Sequence, residues 1–243
     1  MTSTTHEDLT LLAEQRSQLD AQGKRIAQAY CLAVLDHVSA KIRAAYPEAV
    51  YVAFAFYSTR TLDMHAVLGA QTSALRTCPE LWNNREGTQE HPLDYIADEI
   101  ESDVQTALAP YLSPAWASVH RNSASEGNSW LLELPPVDRV ARVAELVRER
   151  HPEATAVIVD GRRSGGRIIE VLEGVADDGT QIRAPRPRWT PSCDTLLTRI
   201  LAQVLSIPAL ADRHLMPLPS DYVHPHGIST SDQTHLMPLP PTA

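Results

Sequence analysis

Apolar residues recur at helical spacing in several stretches of the chain, and short apolar runs bounded by turn residues lie between them. Leu9, Leu12, Leu19, Ile26 and Tyr30 stand among polar neighbours and predict a helical segment over Leu9–Tyr30. Gly23 lies inside it and is expected to divide it into two helices. Nothing later in the chain matches this segment, so residues 1–33 read as an N-terminal helical extension.

From Val34 onward the chain reads as an internal duplication. Val34–Phe54 aligns with Arg139–Val159 at an offset of 105, and six of the 21 pairs are identical. Leu35, Val38 and Ile42 match Val140, Val143 and Val147, the stripe that one helix face needs. Each helix stops at a Pro-Glu-Ala step, Pro47-Glu48-Ala49 or Pro152-Glu153-Ala154, because proline biases the residue before it away from helical angles. An apolar strand comes after each step, Tyr51–Phe56 or Ala156–Val159. Val38, Ile42, Val52, Phe54, Val143, Val147, Ile158 and Val159 are the expected core.

A return strand is expected in both copies, at Leu62–Leu68 and Arg167–Val175. Asp178-Gly179 predicts a tight turn into a third strand near Gln181–Arg183, for which the first copy offers only the looser Gln71–Thr77. Closing helices are expected at Leu93–Leu108 and Asp194–Val204. Thr190-Pro191 sets a capping hydroxyl ahead of the second of these.

Two stretches stand outside this pattern. Residues 113–136 read as a connector, with a short helix opening at Ser113-Pro114 and a strand at Trp130–Leu134. From residue 208 the chain is rich in Pro, His, Ser and Thr, and His214–Pro219 recurs as His235–Pro240, His-Leu-Met-Pro-Leu-Pro in both places. Proline at this density argues against helix and central strand, so 208–243 is expected to be a flexible tail. The units are then 34–112 and 137–207, and the expected class is α+β: duplicated helix–β-hairpin–helix units with antiparallel sheet packed on helices.

Composition narrows the function classes. The net charge of −9 disfavours non-specific nucleic-acid binding. Lys24 and Lys41 are the two lysines, against nineteen arginines, a bias that reflects a GC-rich coding style rather than phosphate recognition. Cys31, Cys78 and Cys193 form no CxxC pair, which argues against a disulfide framework or thiolate metal site. No run of about 18 apolar residues occurs, and Met1–Asp8 lacks an apolar signal core, so no membrane span and a cytoplasmic location are expected.

Candidate chemistry centres on arginine. Arg162, Arg163, Arg167, Arg183, Arg186 and Arg188 cluster in or beside the loops of the second unit, where they suit either an acidic ligand or plain solvation. Val34–Leu112 carries five basic and eleven acidic residues, a net of −6, while Arg139–Thr190 carries ten and eight, a net of +2. Such complementarity suits units that face each other or that pair between chains as a homodimer. Ser164-Gly165-Gly166 precedes a strand rather than a helix, so it reads as a hairpin turn and not a phosphate cradle. His224-Pro225-His226 lacks the partners of a metal site. No catalytic residues, metal ligands or cofactor fingerprint are assigned.

The Tyr46-Pro47-Glu48-Ala49 and His151-Pro152-Glu153-Ala154 steps, each leading into a strand, with the later Gly turn and Asp178-Gly179, resemble uncharacterised helix–hairpin modules in proteins of high-GC bacteria. The resemblance implies no activity. The reading is a non-catalytic cytoplasmic binding or adaptor protein with a protein partner. Leu215 and Met216, with Leu236 and Met237, would be the apolar anchors of two docking segments in the tail. The alternative is a small enzyme or regulator that binds an acidic ligand or nucleic acid through the arginine loops.

Overall fold

The computed structural model describes residues 6–58, 61–71, 78–84, 91–110, 113–122, 129–162, 166–175, 181–184, 189–218, 222, 231 and 233–241. The chain is α+β and divides into two compact units, Met1–Glu133 and Leu134–Ala243.

In the first unit, α1 (His6–Ala45) runs unbroken through Gly23. A lone glycine costs a helix only about 1 kcal/mol, and forty residues of otherwise favourable sequence absorb it. The helix ends before Pro47, and its last three turns bury Leu35, Val38 and Ile42. β1 (Tyr51–Ser58), β2 (Thr61–Leu68), β3 (Glu80–Asn83), β4 (Val119–Arg121) and β5 (Ser129–Glu133) form an antiparallel sheet in the order β3-β2-β1-β5-β4. α2 (Ala97–Leu108) packs on α1 and β2 and buries Ile100 and Val104. Lys41 Nζ ties the two helices by donating to Glu99 Oε1 at 2.7 Å and Asp103 Oδ2 at 3.1 Å. A short 3₁₀ turn, Pro114–Ser118, is capped by the Ser113 hydroxyl, which accepts from the Ala115 N–H.

The second unit uses the same plan. α3 (Arg139–Arg148) is capped by Asp138, whose carboxylate accepts from the Ala141 N–H at 2.8 Å. β6 (Ala156–Asp160), β7 (Arg167–Val175) and β8 (Gln181–Arg183) come next. α4 (Pro191–Ser206) is capped by Thr190, and α5 (Pro208–His214), β9 (Met216–Pro217) and β10 (Thr234–Pro238) complete the unit. The sheet order is β8-β7-β6-β10-β9. Val143, Val147, Val157, Val159, Val171, Ile200, Val204 and Met237 share one core with their neighbours.

The correspondence extends to register. Val52 pairs with Leu132, and Val157 with Met237, both partners shifted by 105. Each hairpin carries a register shift at the same place, between Ala53 and Phe54 and between Ile158 and Val159. Arg43 Nε donates to the Ala49 carbonyl at 3.2 Å, and Arg148 Nε to the Ala154 carbonyl at 3.1 Å, closing the same Pro-Glu-Ala step twice. All eight expected core residues are buried.

Several expectations are corrected. The third strand of the first unit is Glu80–Asn83, while 72–77 lie outside the described residues. Residues 113–136 are not a connector: they supply the 3₁₀ turn, β4 and β5. Among the described residues, 208–243 is not a free tail. Pro208 starts α5 at a position where its missing N–H has no partner to lose, and Pro217 lies in an edge strand. Pro238 is the last residue of β10, so only the end of an inner strand goes without an N–H donor.

Candidate functional site

The helix face of the second sheet is a closed apolar core; its other face carries the charge. Side chains alternate across a strand, so with Val157 and Val159 in the core, Ile158 points to the opposite side. Ile158 pairs there with Glu170 on one flank and Leu236 on the other. Glu170 is only 5% exposed, an expensive position for a carboxylate without partners. Tyr222 supplies one, its hydroxyl donating to Glu170 Oε2. Arg183 supplies the second: its Nη1 lies 3.2 Å from Oε1, close enough to neutralise the charge. That contact lacks hydrogen-bond direction, so among the described residues Oε1 has a charge partner but no directed donor. The Arg183 guanidinium also sits over the Tyr222 ring, 5.4 Å from its centroid. Burial, and then the bond to Glu170, push the Tyr222 phenol well above its ordinary value. In the first unit Ala66 occupies the place of Glu170, since Ala53 pairs with Ala66 as Ile158 pairs with Glu170.

Among the described residues, the three arginines Arg162, Arg167 and Arg183 sit in separate settings. Arg162, at the end of β6, is held by Asp160: Nε lies 2.9 and 3.1 Å from the two carboxylate oxygens, and Nη2 is 2.8 Å from Oδ2. Arg167 opens β7 opposite Asp160. Arg183 belongs to the Glu170 cluster, opposite Leu172 in the sheet. Arg163, Arg186 and Arg188 lie outside the described residues, as do His224 and His226. Asp160, Glu170 and Tyr222 were not singled out from the sequence. Glu170 is legible only as a carboxylate in an apolar strand, and Tyr222 lies 52 residues away. Gly166 has φ +70° as it leads into β7, in keeping with a hairpin turn.

Three of the four proposed docking anchors are buried or half-buried within the unit, whereas Met216 is 52% exposed. Met237 is fully buried in the core, Leu236 lies in β10 opposite Met216 of β9, and Leu215 packs at the edge of the same core. The two hexapeptides are therefore not equivalent free segments: one is an edge strand, the other an inner one.

The first unit has its own polar cluster. Asp94 accepts from the His91 N–H and from Trp82 Nε1, each at 2.8 Å. Those two bonds, the backbone one first, hold its carboxyl below the usual range. The Tyr46 hydroxyl meets His91 Nδ1, and their rings stack at 5.6 Å. In the second unit His151 takes the place of Tyr46 and meets the Trp189 ring edge-on at 5.8 Å, with Glu173 3.3 Å from its Nδ1.

These features define an α+β protein of two compact units, each with a five-stranded antiparallel sheet, whose polar clusters differ. Comparison with protein-family models, with curated proteins and with solved structures finds no match for the chain. Among the described residues no single helix is long and apolar enough to cross a membrane.

Proposed function

We propose that this is a cytoplasmic, non-catalytic binding protein that arose by internal duplication, and that its second unit carries the partner-recognition surface. The observation that carries the reading is the contrast at one pair of matching sheet positions. The core register is retained between units, yet the buried Ala66 of one gives way in the other to Glu170, whose partners are Tyr222 and the 33% exposed Arg183. A protein selected for fold alone gains nothing from burying a carboxylate there, whereas a binding face gains orientation from a fixed charge pair beside an aromatic ring. Duplication leaves one copy as scaffold and frees the surface of the other to diverge. Arg162 and Arg183 are both occupied by carboxylates, which weakens the case for an acidic ligand at these two positions.

The test is capture from a lysate on the immobilised full-length chain, comparing wild type with Arg183→Glu and with Arg162→Glu, folding checked by circular dichroism. Proteins retained by wild type and Arg162→Glu but lost with Arg183→Glu support the reading. An identical captured set on all three folded proteins overturns it.

A further inference from the structure

The first half of α1 carries a row of large apolar side chains exposed to solvent: Leu9 57%, Leu12 56%, Leu19 67%, Ile26 62% and Tyr30 60%. With Arg16 and Gly23 they occupy every third and fourth position in strict alternation, the 3.5-residue repeat of a coiled-coil seam. The row is about 32 Å long at 1.5 Å per residue. Beyond Tyr30 the helix turns a different face inward, burying Leu32, Leu35, Val38 and Ile42 in the first unit. One helix thus has two tasks, and only the second is met within the unit.

The pattern of the seam indicates its partner. A 3.5-residue repeat is satisfied by another helix carrying the same repeat, and the buried faces of α2, α3 and α4 are already turned into the unit cores. A second copy of α1 brings a row of equal length. Charge then selects the direction. Residues 6–20 hold Glu7, Asp8, Glu14 and Asp20 against Arg16, a net of −3, and residues 21–30 hold Lys24 and Arg25, a net of +2. Parallel pairing in register sets like halves together and stacks Arg16 on Arg16 in the seam. Antiparallel pairing sets the acidic half against the basic half and opposes the two helix dipoles. Ala13, Ala27 and Ala29 beside the seam leave room for close approach.

We propose that two copies of this chain associate through antiparallel pairing of α1 over Leu9–Tyr30. The full-length protein should then run at twice its 26.8 kDa in light scattering or sedimentation at micromolar concentration. Leu12→Glu/Leu19→Glu/Ile26→Glu should run at the monomer mass with the unfolding transition of the units retained. Gln28→Glu, on the opposite side of the helix, should remain a dimer. Should the triple variant lose structure, Leu19→Glu alone decides, by a dissociation constant raised at least tenfold. A Leu12→Cys variant without Cys78 and Cys193 reads direction, because only parallel pairing brings residue 12 beside its own copy. A monomeric wild type, a dimer indifferent to the seam substitutions, or ready disulfide cross-linking between two Leu12→Cys chains would each overturn the proposal.

Discussion

Leu236 lies directly opposite Met216, so the two His-Leu-Met-Pro-Leu-Pro segments of this chain are strand neighbours of one another. The later copy also continues the 105-residue offset. Ser129–Pro136 matches Thr234–Pro241, with Leu131/Leu236, Leu134/Leu239, Pro135/Pro240 and Pro136/Pro241 identical. Burial agrees with the match: Leu132 and Met237 are both wholly buried, as are, nearly so, Leu134 and Leu239. The Leu239 N–H donates to the Thr155 carbonyl at 2.8 Å, fastening the segment just past its strand.

The two methionines should therefore behave differently. Met237→Ala removes a fully buried side chain and should cost about 2–5 kcal/mol. Met216→Ala, at a position 52% exposed, should stay within about 0.5 kcal/mol. Urea unfolding of the full chain checks both. Equal effects would mean that β10 does not occupy the sheet in solution.

Glycine substitutions separate two backbone roles. At Gly166, φ is +70° and an added Cβ would lie 2.6 Å from Leu205 Cδ1, so Gly166→Ala should destabilise by at least about 1 kcal/mol. At Gly23 nothing lies within 4 Å of such a Cβ. Gly23→Ala in the helix interior should stabilise α1 by about 0.5–1 kcal/mol, read as increased helicity on heating.

Much of the scaffold was legible because periodicity reports directly on burial. Val38, Ile42, Val143 and Val147 follow a helical stripe, and Val157–Val159 an inner strand. The end of the chain was misleading because proline counts describe local backbone preference, while strand position decides whether a missing N–H matters. Pro217 sits at an edge and Pro238 at a strand end. The offset itself held the missed signal, since it continues across Leu131–Pro136 and Leu236–Pro241. Glu170, Arg183 and Tyr222 are a different case. They are separated by 13 and 39 residues in the chain and meet only in the folded unit, so no spacing rule gathers them.

That cluster gives a further prediction. Tyr222→Phe removes a hydroxyl that donates to a nearly buried carboxylate, and should destabilise the second unit by about 1–3 kcal/mol. Glu170→Ala in the same background should recover part of the loss, because the buried charge goes with it. A double-mutant cycle of chemical unfolding measures the coupling. Additive losses would mean that the two side chains act independently.

Asp94 and Glu101, both in the first unit, should respond to acid with opposite signs. Asp94 accepts two N–H bonds that hold its carboxyl below 3.8, so its ionised form favours the folded state. Its contribution is complete above that ordinary value and is lost as pH falls through the lower folded one. Glu101 is pushed above 4.5 chiefly by burial, although the Met64 N–H, 2.8 Å from its Oε1, draws it the other way. Its ionised form disfavours folding, a penalty present at neutral pH and relieved as pH falls through the raised value. Glu101→Gln keeps an oxygen for Met64 and should stabilise the unit near pH 7, with a gain that shrinks as pH falls through the raised value. Asp94→Asn should leave the neutral range unaltered and flatten the loss below about pH 4. Trp82, Trp116 and Trp130 all lie in the first unit and Trp189 in the second, so tryptophan fluorescence in a Trp189→Phe background follows the first unit alone. Midpoints that shift in the same direction for both variants would contradict the assignment of the two carboxylates to opposite environments.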